Sequence, residues 1–280
     1  MQLSLEMLTK EQFIIDKPIR LIELFGGIGS QAKALQRLGA DFEHHFMCEY
    51  DRFAVQSYNA VHGTNFEPLD ITKAKGEDLR ITETENYCYI LTYSFPCQDL
   101  SMAGKREGMK KSDSTRSGLL WEVERLLNEV DELPQVLLME NVPQVHDDKN
   151  RECFRNWIIF LESKGYTSYC EDLNAKNYGV PQNRERCFMV SLLEGYYVFP
   201  DSVPLKERLK DRLEQNVGKE YDISDKAAAG IAKSTFNSTA SRIQDVGGVH
   251  RTLCARDYKD PPCIIEESRV EDETSNGGNA

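Results

Sequence analysis

No apolar run in this sequence approaches the roughly 20 residues that span a bilayer. The opening MQLSLEMLTKEQF carries acidic residues and lacks an apolar stretch followed by a small-residue cleavage site, so no secretory signal is expected and the expected compartment is the cytoplasm. Cysteine pairs at C-x-x-C spacing are missing too. The eight cysteines stand at 48, 88, 97, 153, 170, 187, 254 and 263, and the five histidines do not flank them at zinc-ligand spacing. That pattern predicts neither a metal site nor a disulfide framework, and reads most of the cysteines as small buried hydrophobes. An excess of basic charge is absent: the net charge of -12 argues, as a sum, against a nucleic-acid partner. The distribution matters more than the sum. Lys105, Arg106, Lys110, Lys111 and Arg116 face only Glu107 and Asp113 within 101–120, whereas Glu266, Glu267, Glu271, Asp272 and Glu273 crowd the end of the chain around Arg269. Internal repeats are lacking as well.

What is present is the composition of a globular protein, 280 residues with 40% apolar and 29% charged, enough for one large domain or for one domain and a small appendage. Short apolar runs alternate with amphipathic stretches over the first two-thirds, the pattern of an α/β sheet with helices on its faces. Strands are expected at 19–24, 42–48, 87–92, 136–139 and 187–192. Helices are expected from a Ser30 cap through Leu38, from Asp51 through Val61, over 119–130 with Leu120, Val123, Leu126 and Leu127 on one face, and over 154–161. The expected organisation is a catalytic domain over 17–195, a smaller irregular region over 196–265 and a polar, acidic, disordered tail over 266–280.

Two places carry chemistry. ELFGGIGSQA follows the first strand and opens the first helix, and within it Gly27, Gly29 and Ala32 fit G-x-G-x-x-A. Glycines there let the backbone approach a ligand closely and turn into a helix N-terminus. Glu49, at the end of the second strand, can accept from ribose hydroxyls. Tyr50 offers a ring for an adenine, and Asp70 can accept from an adenine amino group. This geometry serves several adenosine cofactors, nicotinamide dinucleotides among them, and it also serves as a plain tight turn.

The second place is TYSFPCQDLS. Pro96 fixes the backbone ahead of Cys97, which follows an apolar strand, where open α/β folds put their ligands. A lone cysteine there is ordinarily core. Its partners are Glu140, at the end of the strand VLLMEN, and the run NYGVPQNRER. Arg184 and Arg186 alternate with Glu185, so on one strand both would face the same side; the plain reading is a surface ladder of ion pairs.

Taken in order, Phe25-Gly26-Gly27-Ile28-Gly29, Pro96-Cys97-Gln98, Glu140-Asn141-Val142 and Gln182-Asn183-Arg184-Glu185-Arg186 resemble the ordered motif set of the cytosine-5 methyltransferases. The resemblance runs from about Ile19 to Pro261. It implies a Rossmann-like, S-adenosylmethionine-dependent α/β fold with a mostly parallel seven-stranded sheet, beside a small recognition region. It implies duplex DNA as substrate, with the target cytosine flipped into the pocket. By matching positions, Cys97 would attack C6, Glu140 would hold N3 and the exocyclic amine, and Arg184 and Arg186 would hold the O2 side. Phe25, Gly27, Gly29, Glu49, Tyr50, Asp70, Ile71 and Pro96 would contact the methyl donor. Gln98, Ser101, Lys105, Arg116 and Gln182 would contact DNA, the first four from a loop that closes over it, with Gly104 and Gly108 permitting the swing.

Two departures from the family pattern are visible. SRIQDVGGVHRTLCARDY, 241–258, resembles the segment that supports the recognition domain, yet it follows the Cys187 strand closely. The late G-N-S-V-like motif is not found. Three readings follow: a truncated product of reduced or no activity, one half of an enzyme completed by a second polypeptide, or a short C-terminus that suffices. Transfer RNA is the alternative substrate, and an inactive binding subunit is the alternative class.

Overall fold

The computed structural model describes residues 11–96, 116–214, 217–233, 243–254, 257 and 262–264. They fall into two compact units: Met1–Leu173 with Arg186–Pro200, and Asn174–Glu185 with Asp201–Ala280.

The first unit is built on a six-stranded sheet, where the resemblance implies seven. Its strands are β1 (Ile19–Leu24), β2 (Phe42–Cys48), β3 (Cys88–Tyr93), β4 (Val136–Asn141), β5 (Thr167–Asn174) and β7 (Glu185–Leu192), in the spatial order β2-β1-β3-β4-β7-β5. β1 pairs in parallel with β2 and β3, and β3 with β4, whereas β7 runs antiparallel to β4. All six residues of β3, CYILTY, are buried, as a central strand covered on both faces requires. Alternation divides the core. Ile22, Leu24, Leu91, Tyr93 and Leu137 pack in one cluster with Leu120 and Trp157, and Ile19, Leu21, Cys88 and Val136 pack in another with Ala32.

Among the described residues, four α-helices belong to this unit: α1 (Ser30–Leu38), α2 (Arg52–His62), α3 (Leu120–Glu129) and α4 (Arg151–Ser163). The expected α3 face, Leu120, Val123, Leu126 and Leu127, is the buried one. Asp51 caps α2 by accepting from the N–H groups of Phe53 and Ala54. The cap of α1 is Gly29 in the left-handed region rather than Ser30, which is already helical. No helix among the described residues is long and apolar enough to cross a membrane.

Beneath the turn that leads into α1 lies a buried acid. Glu23 is 1% exposed. Its Oε2 accepts from the Tyr58 hydroxyl, and its Oε1 accepts from the Ala32 N–H at 3.4 Å. Since that hydroxyl donates to Glu23, it accepts from His44 Nδ1, 2.7 Å away. Burial raises the Glu23 pKa above the ordinary glutamate value, against the lowering effect of the bonds from Tyr58 and Ala32. The folded chain therefore holds the Glu23 proton more tightly than the unfolded chain. Stability from this site is complete below the unfolded pKa and is lost as pH rises through the folded one. Glu23→Gln is expected to flatten that loss. Urea melts of both proteins between about pH 4 and about pH 8 check it, and parallel stability curves would contradict it.

The second unit holds two short parallel pairs, β6 (Gln182–Asn183) with β9 (His250–Arg251) and β8 (Ile243–Gln244) with β10 (Cys263–Ile264), together with α5 (Asp225–Lys233). Arg251 grips Asp257 with two hydrogen bonds, Nη2 to Oδ1 at 2.7 Å and Nη1 to Oδ2 at 3.0 Å. The Thr252 hydroxyl donates to the Asn183 carbonyl at 2.7 Å. These contacts place part of 241–258 beside the Gln182 segment within the unit.

Candidate active site

The ligand end of the sheet is the edge where β1, β2, β3 and β4 finish. At the end of β1 the chain turns through Phe25, Gly27 and Gly29, all at positive φ (59°, 55° and 79°). Gly29 has no alternative. A Cβ on it would lie 2.2 Å from His62 Nε2 and 2.7 Å from the Tyr58 ring. A Cβ on Gly27 would meet nothing within 4 Å, so this stretch of backbone opens onto space. The Gly27 N–H donates to Glu49 Oε2 at 3.1 Å, and the Asp51 N–H donates to Glu49 Oε1 at 2.9 Å. The acid at the end of β2 is thereby fixed against the glycine turn. Leu69 N–H donates to the Glu49 carbonyl at 2.8 Å, which draws the next segment in.

Asp70 follows. Its Oδ1 accepts from the Thr72 N–H and hydroxyl at 3.0 and 2.9 Å, and these bonds hold its carboxyl below the usual range. The turn is anchored from α3: Arg125 Nη2 donates to the carbonyls of Ile71 and Ala74 at 3.0 and 2.8 Å. Ile71 departs from the expected picture in one respect. Its side chain is buried in the core, so only its backbone can face a ligand. Tyr50 is 74% exposed, with Ile28 and Phe53 also largely exposed. An open glycine turn, a fixed carboxylate, a second acid on a braced turn and an exposed ring fit an adenosine-bearing cofactor.

The chemical end is assembled from β3, β4 and β7. Glu140 is the penultimate residue of β4 and Arg186 the second of β7. Arg186 Nε lies 3.1 Å from Glu140 Oε1, with both side chains about four-fifths buried (18% and 21% exposed). The register explains the meeting: Glu140 is opposite Phe188, so Arg186, two residues away, shares its face. Asn141, 2% exposed, was quoted in the sequence only as part of a motif. Its Nδ2 donates to the Phe95 carbonyl at 3.0 Å, and its Oδ1 accepts from Val142 N–H at 2.9 Å. It ties the end of β4 to the backbone two residues before Cys97. On the other side, Gln31 Nε2 of α1 donates to Ser94 Oγ at 3.3 Å. Pro96 is the last described residue before the gap. Cys97, Gln98, Ser101 and Lys105 lie outside the described residues, as do Gly104 and Gly108, and of Arg116 only the backbone is described, at the start of a 3-10 turn.

The expectation for Arg184 needs correction. The run is not one strand: β6 ends at Asn183 and β7 begins at Glu185, with Arg184 between them, so strand alternation does not relate Arg184 to Arg186. Arg184 and Gln182 belong to the second unit, where the Arg184 N–H is held by Asn174 Oδ1 at 3.2 Å and the Asn174 side chain donates to Asn183 Oδ1 at 2.8 Å.

Residues 19–258 match the family model of the C-5 cytosine-specific DNA methylases. The chain belongs to that family. It is a methyltransferase, and the family works with S-adenosylmethionine. Among similar proteins, the orphan methyltransferase M.SssI of Spiroplasma monobiae is 32% identical, over 81% of this chain and 72% of its own. The type II methyltransferase M.NlaX of Neisseria lactamica is 31% identical, over 89% and 79%. The crystal structure of S. pombe Dnmt2 methyltransferase superposes with a TM-score of 0.66 at 20% identity, covering 86% of this chain and 72% of that one, which bears on the fold.

Within this methylase, Asn141→Ala would leave the Phe95–Pro96 backbone without its brace. The expected cost is about 1–3 kcal/mol of stability, together with a fall in kcat larger than any change in S-adenosylmethionine affinity. Denaturant melts and a comparison of kcat with cofactor Kd check it. A loss confined to cofactor affinity would contradict this placement.

Proposed function

We propose that this methylase transfers a methyl group from S-adenosylmethionine to C5 of a flipped cytosine in duplex DNA, through a covalent bond between Cys97 and the base. One observation carries the reading. Glu140 and Arg186 meet at 3.1 Å at the end of the sheet where Asn141 braces the backbone leading to Cys97. An acid and a guanidinium side by side match the two edges of a cytosine that need holding.

S-adenosylmethionine supplies an electrophilic methyl group. Phe25, Gly27 and Gly29 would receive it with backbone, Glu49 would accept from its ribose, and Tyr50, Asp70 and the Ile71 backbone would surround its adenine, with Pro96 near the methyl. Cytosine is a weak electrophile, so its ring must be polarised while Cys97 attacks. Glu140 would hydrogen-bond N3 and the exocyclic amine, and Arg186, with Arg184 as a further candidate, would balance charge at O2. As the Cys97 Sγ–C6 bond forms, electron density moves to C5, which takes the methyl. Loss of the C5 proton then re-forms the double bond and expels Cys97 as thiolate. Gln98, Ser101, Lys105 and Arg116 would contact phosphates from the loop, and Gln182 would contact DNA from the second unit.

Labelled methyl transfer from S-adenosylmethionine to unmethylated duplex DNA of mixed sequence, run beside transfer RNA, tests the reading. Label on C5 of DNA cytosine is expected. Label on transfer RNA alone, or on another base atom, overturns it.

A further inference from the structure

The face of β7 opposite Arg186 carries a second group of reactive side chains, which the methyl-transfer chemistry does not use. Cys187 pairs with Asn141 and points away from Glu140. Its thiol is fully buried, and its Sγ lies 3.3 Å from Cys170 Sγ on β5. Cys170 and Asp172 are two residues apart on one strand, so both face this side. From the turn that follows Asn141, His146 reaches in, its Nε2 3.0 Å from Asp172 Oδ1. The donor atoms of His146, Asp172 and Cys187 all lie within 4.8 Å of one another.

We infer that His146, Asp172 and Cys187, with Cys170 as fourth donor, form a binding site for a divalent transition-metal ion of zinc's class. The donor set is two sulfurs, one imidazole nitrogen and one carboxylate oxygen, which suits a borderline-soft ion of tetrahedral habit. With bonds of about 2.0–2.3 Å, a tetrahedron spaces its ligand atoms about 3.3–3.8 Å apart. The His146–Asp172 and Cys170–Cys187 separations of 3.0 and 3.3 Å lie close to that edge, and the other separations among His146, Asp172 and Cys187 stay within 4.8 Å, so closing the shell requires the side chains to draw together. An entry path exists, because the His146 and Asp172 side chains are 39% and 33% exposed while Cys187 closes the floor. The sequence hides the site because its four donors come from three separate segments, with none of the short paired spacings of a zinc finger. A metal there would clamp the turn after Glu140-Asn141-Val142 to β5 and β7, behind the wall that carries Arg186.

The test uses the full chain, reduced and stripped with chelator, and titrated with Co²⁺ alone. Expected are a thiolate-to-cobalt charge-transfer band and intense tetrahedral ligand-field bands that saturate at one equivalent and vanish when Zn²⁺ is added. Zn²⁺ should also raise the Tm. His146→Gln and Cys170→Ser alter side chains that reach the surface, so they should fold. Each should weaken cobalt binding at least about tenfold, since the loss of even a supporting partner costs metal sites that much. Cys254→Ser, in the second unit, should bind as the wild type does. Absence of the sulfur band, its survival when Cys170 and Cys187 are both serine, or wild-type affinity in His146→Gln overturns the inference.

Discussion

Replacing Cys97 with alanine is expected to abolish methyl transfer, by about 10⁴-fold or more, while S-adenosylmethionine still binds. Cys97 follows Phe95-Pro96 in the sequence, just after β3, and Asn141 holds the Phe95 carbonyl. The parts placed for the cofactor, namely the Phe25–Gly29 turn, Glu49 and the Asp70 turn, are held by bonds to one another and to Arg125. None of those bonds involves the thiol. Equilibrium titration with the cofactor, beside a labelled-methyl assay and a denaturing gel for trapped protein–DNA adduct, checks both halves. Normal turnover in the variant would end the covalent mechanism. Loss of cofactor binding along with activity would mean that the thiol helps shape the donor site.

Glu140→Gln should slow the covalent step by about 10²–10⁴-fold, the usual span for a positioned acid or base. Glu140 presents Oε1 to Arg186 Nε at 3.1 Å, and the pair is largely withdrawn from water. An amide of the same shape keeps the packing. It loses the charge that orients the guanidinium, and it cannot deliver a proton to N3. The loss should therefore fall on the rate of adduct formation, with little change in stability. Single-turnover trapping of the adduct measures that rate directly, and an unchanged rate would remove Glu140 from the mechanism.

The sheet was legible wherever strands are apolar on both faces. IRLIEL became β1 with its expected bounds, and the α3 stripe buried the four residues that the spacing picked out. β5 was not legible. TSYCEDLN has neither an apolar run nor a regular alternation, because it is an edge strand with three successive exposed positions. The break at Arg184 was equally hidden: local spacing in QNRER is what a strand would show, and only the pairing of Gln182 and Asn183 with His250 and Arg251, far along the chain, divides it. At the site, motif order found Glu140 and Arg186 but not their contact, which depends on strand register. Asn141 was visible as a letter of a motif, but its hydrogen bond to the Phe95 carbonyl spans 46 positions and leaves no local mark. Glu23 gave no signal, since an acid within an apolar strand looks alike whether or not a tyrosine waits to bind it.

β7 runs against its neighbour, and this makes the reaction centre sensitive to counting. Because β4 ends where β7 begins, the sheet sets a strand terminus against a strand origin, and Arg186 reaches Glu140 only while Phe188 remains opposite it. A slip of one residue along β7 would carry every side chain to the other face and bring Cys187 to the position facing Glu140. An insertion or deletion ahead of Glu185 leaves the order of residues within β7 unchanged. A single residue added between Cys187 and Phe188 does not, and it would exchange a guanidinium for a thiol beside Glu140.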